Sequence, residues 1–387
     1  EALKILVDEG LIDNARVTSD RRTGPSASFV SPEDLERIEV LRSPSSIFYG
    51  SDAIGGVINL FTKNPPSEDG FSGRLHAGYG TNNAEKAFGL SLAGRKGAWG
   101  FVLSANSLDA GNYSSPRAEV LQSQYAQLGA HGKVVYETEA RRVVLSFLGA
   151  RGKDIGKPNR NSAAKPTWYP MEKNNLAQLS WTERSIAGGE LSVHAYANPN
   201  DIETRTRTLS GTAVTKDSLS RTSSTDYGVQ VSYSRKLGEG FRLTAGADLY
   251  GRASVEATLH EESFNASGDL TKIYDETAYN RGRSADAGVF VSGDYSGLEN
   301  LDLVGGLRWD SLTQSAHPGG GAALDKKDDA VTGFLAASYR LTSRLTAFAN
   351  ASRAYRTPGL GERFYSGITG RGFIIAQPNL ANERSLN

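Results

Sequence analysis

Nine residues in two polar stretches combine positive charge with aromatic rings. Arg151, Lys153, Lys157, Arg160, Trp168 and Tyr169 lie in the first, and Arg363, Tyr365 and Arg371 in the second. Guanidinium and ammonium groups beside ring faces suit anionic ligands, through bidentate hydrogen bonds, charge and the ring quadrupole. They suit lipid phosphates equally, and many charges of this kind are merely solvated. Nothing else has the spacing of reaction chemistry. The five histidines, His76, His131, His194, His260 and His317, are dispersed, with no H-x-x-x-H or H-E-x-x-H pair to hold zinc. The absence of cysteine excludes a thiolate nucleophile, a thiolate metal site and a disulfide scaffold. No G-x-S-x-G elbow is present, and no serine stands at motif spacing from a histidine. The expectation is a binding protein without a cofactor rather than an enzyme.

These side chains must be carried by strands. The chain has 387 residues, 43 glycines and a formal net charge of zero, a balance that argues against a nucleic-acid partner. Mean hydropathy is −0.40, and no apolar run approaches the ~18 residues of a transmembrane helix. A transmembrane β-barrel needs none, because only alternate residues face lipid. From Gly73 onward such alternation dominates. Phe88, Leu90 and Leu92 oppose Gly89, Ser91 and Ala93; Phe241, Leu243, Ala245 and Ala247 oppose Arg242, Thr244, Gly246 and Asp248. Short connections near 95–98, 137–140, 185–189, 236–240, 296–299 and 341–344 alternate with long polar ones near 109–121, 152–173, 199–220, 255–280, 313–328 and 354–382. A soluble sandwich has no reason to sort loop length by end, whereas an outer-membrane barrel pairs tight periplasmic turns with long external loops. Thr81-Asn82-Asn83 is the exception, short where a long loop is due. About thirteen strands are expected on this pattern, a fourteenth starting near Arg384. Tyr79, Trp99, Tyr136, Trp181, Tyr233, Tyr295, Trp309 and Tyr339 stand near strand ends, as interfacial girdles require.

The N-terminal part differs. Ser31-Pro32-Glu33-Asp34 supplies an N-cap, a helix-starting proline and an acidic first turn. Strands are expected at 37–42 and 56–63, the second ending before Pro65-Pro66, and Gly50, Gly55 and Gly56 permit turns between them. The stretch RIEVLRSPSSIFYGSDAIGGVINLFTK (37–63) resembles the end of the plug domain of TonB-dependent outer-membrane receptors. That family carries E-R-I-E-V-L-R-G-P, Y-G and A-I-G-G-V-I-N in the same order, and Ser43 replaces its usual glycine. The segment 354–385 resembles two further blocks of the family. Tyr355, Arg356 and Pro358 match F-R-A-P, with Thr357 departing; Pro378, Asn379, Leu380 and Glu383 match N-P-[ND]-L-x-P-E, with Gln377 and Asn382 departing.

The resemblance implies an all-β chain: a partial transmembrane antiparallel barrel, about 13–14 of roughly 22 strands, with the C-terminal part of a small α+β plug. Plug is expected over 1–66 and barrel over 67–387. Glu1 and Asn387 look internal, so the expectation is a piece of a longer receptor in a Gram-negative outer membrane. Its partners would be outer-membrane lipid, an energy-transducing TonB-type complex engaging an N-terminal box outside this sequence, and a scarce ligand. A ferric siderophore is the first expectation, with cobalamin or haem as alternatives. Haem receptors of the family carry a ligand histidine between the two late blocks, and no histidine lies between Tyr355 and Pro378. The family also locks plug to wall through buried arginine–glutamate contacts, which singles out Arg42 and Glu383 as latch candidates. Outside the family, a passive porin-like barrel or a barrel phospholipase would show the same alternation, the latter with a lipid-side Ser–His pair and no plug.

Overall fold

A computed structural model describes residues 4–8, 10–11, 30–41, 47, 50, 56–158, 163–369 and 372–387. Four strands form a small sheet in the order β2-β1-β4-β3. They are β1 (Lys4–Val7), β2 (Gly10–Leu11), β3 (Leu35–Leu41) and β4 (Val57–Thr62). β1 lies parallel to β4, while β2 and β3 run antiparallel to their neighbours. The expected short helix is a single 3-10 turn, Pro32–Asp34, where the Ser31 hydroxyl accepts from the Glu33 N–H at 3.4 Å. The run VINLFT suits β4, which is flanked on both sides and mostly buried, as continuous apolar strands are.

The second sheet has fourteen strands, all antiparallel. In chain order they are β5 (Gly70–Gly80), β6 (Glu85–Lys96), β7 (Trp99–Ala110), β8 (Tyr125–Glu137), β9 (Arg141–Gly156), β10 (Thr167–Ile186) and β11 (Gly189–Ser210). β12 (Ala213–Lys236), β13 (Phe241–Phe264), β14 (Leu270–Leu298), β15 (Leu301–Pro318), β16 (Leu324–Thr342), β17 (Leu345–Arg356) and β20 (Glu383–Leu386) follow. A minor hairpin, β18 (Gly367–Thr369) and β19 (Gly372–Ile374), stands apart. Each wall strand pairs with the next, so the sheet is a meander with β5 and β20 at its margins.

Sidedness is inverted relative to a soluble protein. Phe88, Leu103, Leu145, Phe147, Leu179, Val289 and Leu307 are exposed, while Lys133, Gln178, Asp248, Arg308 and Asp310 are buried. An apolar outer face matches hydrocarbon and a polar inner face lines a lumen, which the small sheet fills. Val7, Val30 and Leu60 of the small domain share one apolar cluster with Leu148, Ala150, Leu176 and Tyr196 of the wall. Trp99 and Tyr136 pair across neighbouring strands at 4.9 Å, beside the short turns, as a girdle would.

One expectation changes. The stretches 199–220 and 255–280 are not loops but continuations of the wall, and β14 reaches 29 residues. About 9–11 tilted residues suffice to cross a membrane, so these strands run on as ribbons. Two residues, Gly211 (φ +61) and Thr212, turn β11 into β12. Cross-strand ion pairs tie this ribbon: Arg205 and Arg207 reach Asp217 at 2.8 Å, and Arg221 reaches Asp201 at 2.5 Å. Beyond the hydrocarbon both faces are wet, so no apolar alternation marks the strand. Irregular backbone persists at 111–124, 157–158 and 163–166, and the 354–382 stretch holds a short helix, α1 (Leu360–Phe364). Leu360, Phe364 and Tyr365 pack α1 inward against Val255, Ala257, Ala278 and Ala316.

Candidate functional site

Among the described residues, the places where the inner face of the wall fastens the small domain include four. Asp8, in the turn after β1, accepts from the Thr62 N–H at 2.9 Å and the Thr62 hydroxyl at 2.5 Å. The same carboxylate meets the Lys133 ammonium of β8 at 3.2 Å, and Lys133 also donates to the Thr62 carbonyl at 3.0 Å. From β10, Gln178 Nε2 donates to the Val7 carbonyl at 2.7 Å. From β7, the Ser104 hydroxyl donates to Asp34 at 2.5 Å, with Asn106 Nδ2 on its other oxygen at 3.4 Å. Each contact is polar, and several use backbone carbonyls of the small sheet, so they can be exchanged for water one at a time. The apolar cluster supplies bulk adhesion that does not depend on register.

The fourth place is a charge cluster on adjacent wall strands. Arg308 of β15 grips Asp248 of β13 with two hydrogen bonds of 2.6 Å, and donates through Nε to Asp310 at 2.6 Å. Its Nη1 also donates to the Ile47 carbonyl of the small domain at 3.3 Å. The side chains of Arg308, Asp248 and Asp310 are at most 1% exposed. The Tyr355 hydroxyl of β17 donates to Asp286 of β14 at 3.3 Å in the same cluster. Gly50 (φ +68) closes it from above: a Cβ there would approach Arg308 Nη2 to 3.3 Å and Asp286 to 3.7 Å, in a backbone conformation that side chains avoid. This cluster is absent from the sequence-based candidates. Its signal was present, since Arg308 and Asp310 occupy alternate positions on a strand whose other face is Leu307 and Trp309. What alternation cannot reveal is their partner on β13, sixty positions away.

Of the latch pair, Glu383 accepts from Arg356 at 2.7 Å, and Arg356 also grips Glu362 of α1 at 2.5 Å; Arg42 lies outside the described residues. Of the turn glycines, Gly56 has φ +134 and Gly55 lies outside the described residues. The ligand-loop candidates divide. Lys157 stands 4.9 Å over the Tyr169 ring, and Arg207, which the sequence reading overlooked, stands 5.4 Å over Trp168. These four gather at the far ends of β9, β10 and β11, away from the short turns. Arg151 is exposed on the outward face of β9 and joins no such group. Arg160 and Arg371 lie outside the described residues. Arg363 is fully buried, bound to Asp328 and the Gln314 side-chain oxygen at 2.6 and 2.7 Å and to the Leu380 carbonyl at 2.7 Å. That guanidinium anchors α1 to the wall and faces no open space. Burial pushes the Tyr365 phenol up to about 12, so it is a neutral donor. Among the described residues, no three His, Cys, Asp or Glu side chains are grouped to hold a metal.

Comparison with known proteins agrees with this geometry. A family model described as "TonB dependent receptor-like, beta-barrel" matches residues 49–387, and one described as "TonB-dependent Receptor Plug Domain" matches residues 9–57. The Heme/hemopexin utilization protein C of Haemophilus influenzae is 24% identical over 97% of this chain and 57% of its own. Two solved structures superpose with a TM-score of 0.75. The siderophore receptor PiuA of Acinetobacter baumannii is 14% identical, covering 99% of this chain and 61% of its own. The copper transporter OprC is 17% identical, covering 94% and 57%. The chain spans about half the length of the curated relatives it matches.

Proposed function

Because this chain belongs to the TonB-dependent receptor family, we propose that it is part of an outer-membrane receptor for active uptake of a scarce ligand, and that the ligand is a ferric siderophore. The observation that carries this reading is the small sheet fastened inside the wall by exchangeable polar contacts. A lumen filled in this way favours gated uptake over passive flow. The relatives are named as receptors and transporters, which favours binding over catalysis. An energy-transducing partner would act by loosening the small sheet, so the contacts of Asp8, Asp34 and Ile47 are the ones to be exchanged. We assign 1–66 to plug and 67–387 to wall, since the small sheet ends at Thr62 and the wall begins at Gly70, with Pro65-Pro66 between. Arg42 is assigned as the plug member of a latch, with Glu383 or another lumen-side carboxylate as its partner.

The ligand assignment rests on chemistry at the outer mouth. Lys157 with Tyr169 and Arg207 with Trp168 set charge against aromatic faces, which suits an anionic, aryl-bearing chelate. Relatives are named for haem, copper and siderophores, so haem, copper and cobalamin are the competing cargoes. A receptor-deficient strain expressing the intact protein should grow on limiting iron when given particular ferric siderophores. Rescue by haem, copper or cobalamin alone would overturn the siderophore assignment. Large steady conductance of the intact protein in planar bilayers would overturn active uptake in favour of a porin.

A further inference from the structure

Outside the lumen, the outward face of β9 and β10 carries three cations in immediate succession. Arg151 stands directly opposite Lys173, and Lys153 lies two residues further along β9, opposite Met171. Like charges facing each other across an antiparallel pair repel. No carboxylate lies within ion-pair distance of any of the three among the described residues. Asp201, on the next strand opposite Lys173, is paired instead with Arg221 at 2.5 Å. Asp109 of β7 stands two strands from Lys153, with Ala126 between. Some cations elsewhere on the extended wall are matched, Arg205 and Arg207 by Asp217 and Lys216 by Glu261; what sets this group apart is that three cations share one face within two rungs of the ladder.

Position identifies what the cluster meets. Leu128 stands level with the cluster, opposite Arg151, and below it on the same face lie Leu145, Phe147 and Leu179, all exposed. One ladder row further down, Trp99, Tyr136, Val143 and Trp181 align next to the short turns. From Val143 to Arg151 the strand climbs about 26 Å, or about 20 Å along the barrel axis at a tilt near 40°. The apolar band of such a barrel is about 25 Å tall. Lys153, two residues higher at about 25 Å, therefore stands at its far rim, and Arg151 and Lys173 lie about 5 Å below it, from where long side chains extend to the headgroups. We propose that Arg151, Lys153 and Lys173 form a binding site for the phosphate groups of an anionic lipid of the outer leaflet, whose acyl chains lie along Leu128, Leu145 and Phe147. Lipid phosphate supplies counter-charge to three cations that form no ion pair with the wall among the described residues, and guanidinium beside ammonium provides both bidentate and point-charge recognition.

This inference rests on the outer-membrane reading and deepens it. The test uses the intact protein in detergent, titrated with bisphosphorylated lipid A, its dephosphorylated form and inorganic phosphate, and read by native mass spectrometry. Wild type should prefer the bisphosphorylated lipid. Substituting Arg151→Gln, Lys153→Gln and Lys173→Gln together should weaken that binding on the order of fivefold per cation, about a hundredfold in all. Lys327→Gln serves as control, since Lys327 lies on the outward face of β16 between Asp325 and Asp329; it should change nothing. Unchanged affinity in the triple variant, or displacement of the lipid by equimolar inorganic phosphate, would overturn the site. If the protein then still fractionated with the outer membrane, only the site would fall. Fractionation elsewhere would remove the outer-membrane reading and the site with it.

Discussion

Removing Arg308 should destabilise the protein more than removing either of its carboxylate partners. Arg308→Met leaves Asp248 and Asp310 buried and facing each other, and strips the Ile47 carbonyl of a donor. Breaking a buried ion pair by deleting one partner costs about 3–5 kcal/mol, and the near-zero exposure here allows little relief by solvent. Losing the bond to Ile47 adds about 1 kcal/mol. Asp248→Asn instead leaves the Arg308–Asp310 pair charge-balanced, so its cost should stay near that of lost charged hydrogen bonds, about 1.5–3 kcal/mol. Gly288→Ala offers an independent route, since a Cβ at that position would collide with the Arg308 guanidinium. It should reproduce the Arg308→Met loss with every charge retained. Denaturant unfolding of the intact detergent-solubilised protein, followed through tryptophan fluorescence, measures all three; Trp309 lies between the two β15 members of the cluster. An Arg308→Met loss below about 1 kcal/mol, or one smaller than that of Asp248→Asn, would refute the account of the cluster as a tightly desolvated staple.

Trp168→Ala or Arg207→Gln should each raise the Kd for a ferric siderophore about tenfold, the scale of a desolvated cation–π contact; an unchanged Kd by equilibrium binding would move the capture site elsewhere. Hydrogen bonding to Asp275, at 2.7 Å, and the nearby Glu262 hold the His260 imidazole above its usual range, on a part of the β13–β14 ribbon outside the membrane. Because the folded value is raised, this stabilisation is complete below about pH 6.5 and fades as pH climbs through the folded value. Amide exchange in that ribbon, corrected for intrinsic rate, should therefore be slower at pH 5.5 than at pH 8 in wild type, and the difference should vanish in His260→Gln. For the latch, Arg42→Ala and Glu383→Ala should be less costly together than the sum of the two alone; strict additivity in a double-mutant cycle would remove Glu383, whose side chain is 63% exposed and already bonded to Arg356.

Much of the architecture was legible because the bilayer writes it into the sequence. Leu103 and Leu145 must face hydrocarbon while Val102 and Ser146 turn inward, so period two is enforced wherever the wall crosses lipid. β4 was legible for the opposite reason: VINLFT is apolar on both faces because both are covered. The ribbons around Arg205, Asp217 and His260 were not, since strands in water keep their ladder without apolar alternation. α1 escaped notice because five residues are too few for a helical period to appear. The Arg308 cluster and the Arg207–Trp168 contact were hidden because they depend on which strands stand side by side. Among the candidates, Arg363 shows the limit of reading chemistry from residue type: a loop arginine that invites an anion is spent on Asp328.

The parallel pairing of β1 with β4 also sets how the small sheet bears load. Lys4 lies beside Val57 at one end of the ladder and Val7 beside Leu60 at the other, while β4 runs on toward the wall from its far end. A pull on the chain ahead of Lys4, resisted by the wall through Thr62 and Gly70, acts on opposite ends of the two strands. The rungs are then sheared together instead of being peeled open in sequence. The clamp resists until it gives way as a unit, so tension arriving from that side would be answered by an abrupt release, with Asp8, tied to Thr62 and Lys133, as its last catch.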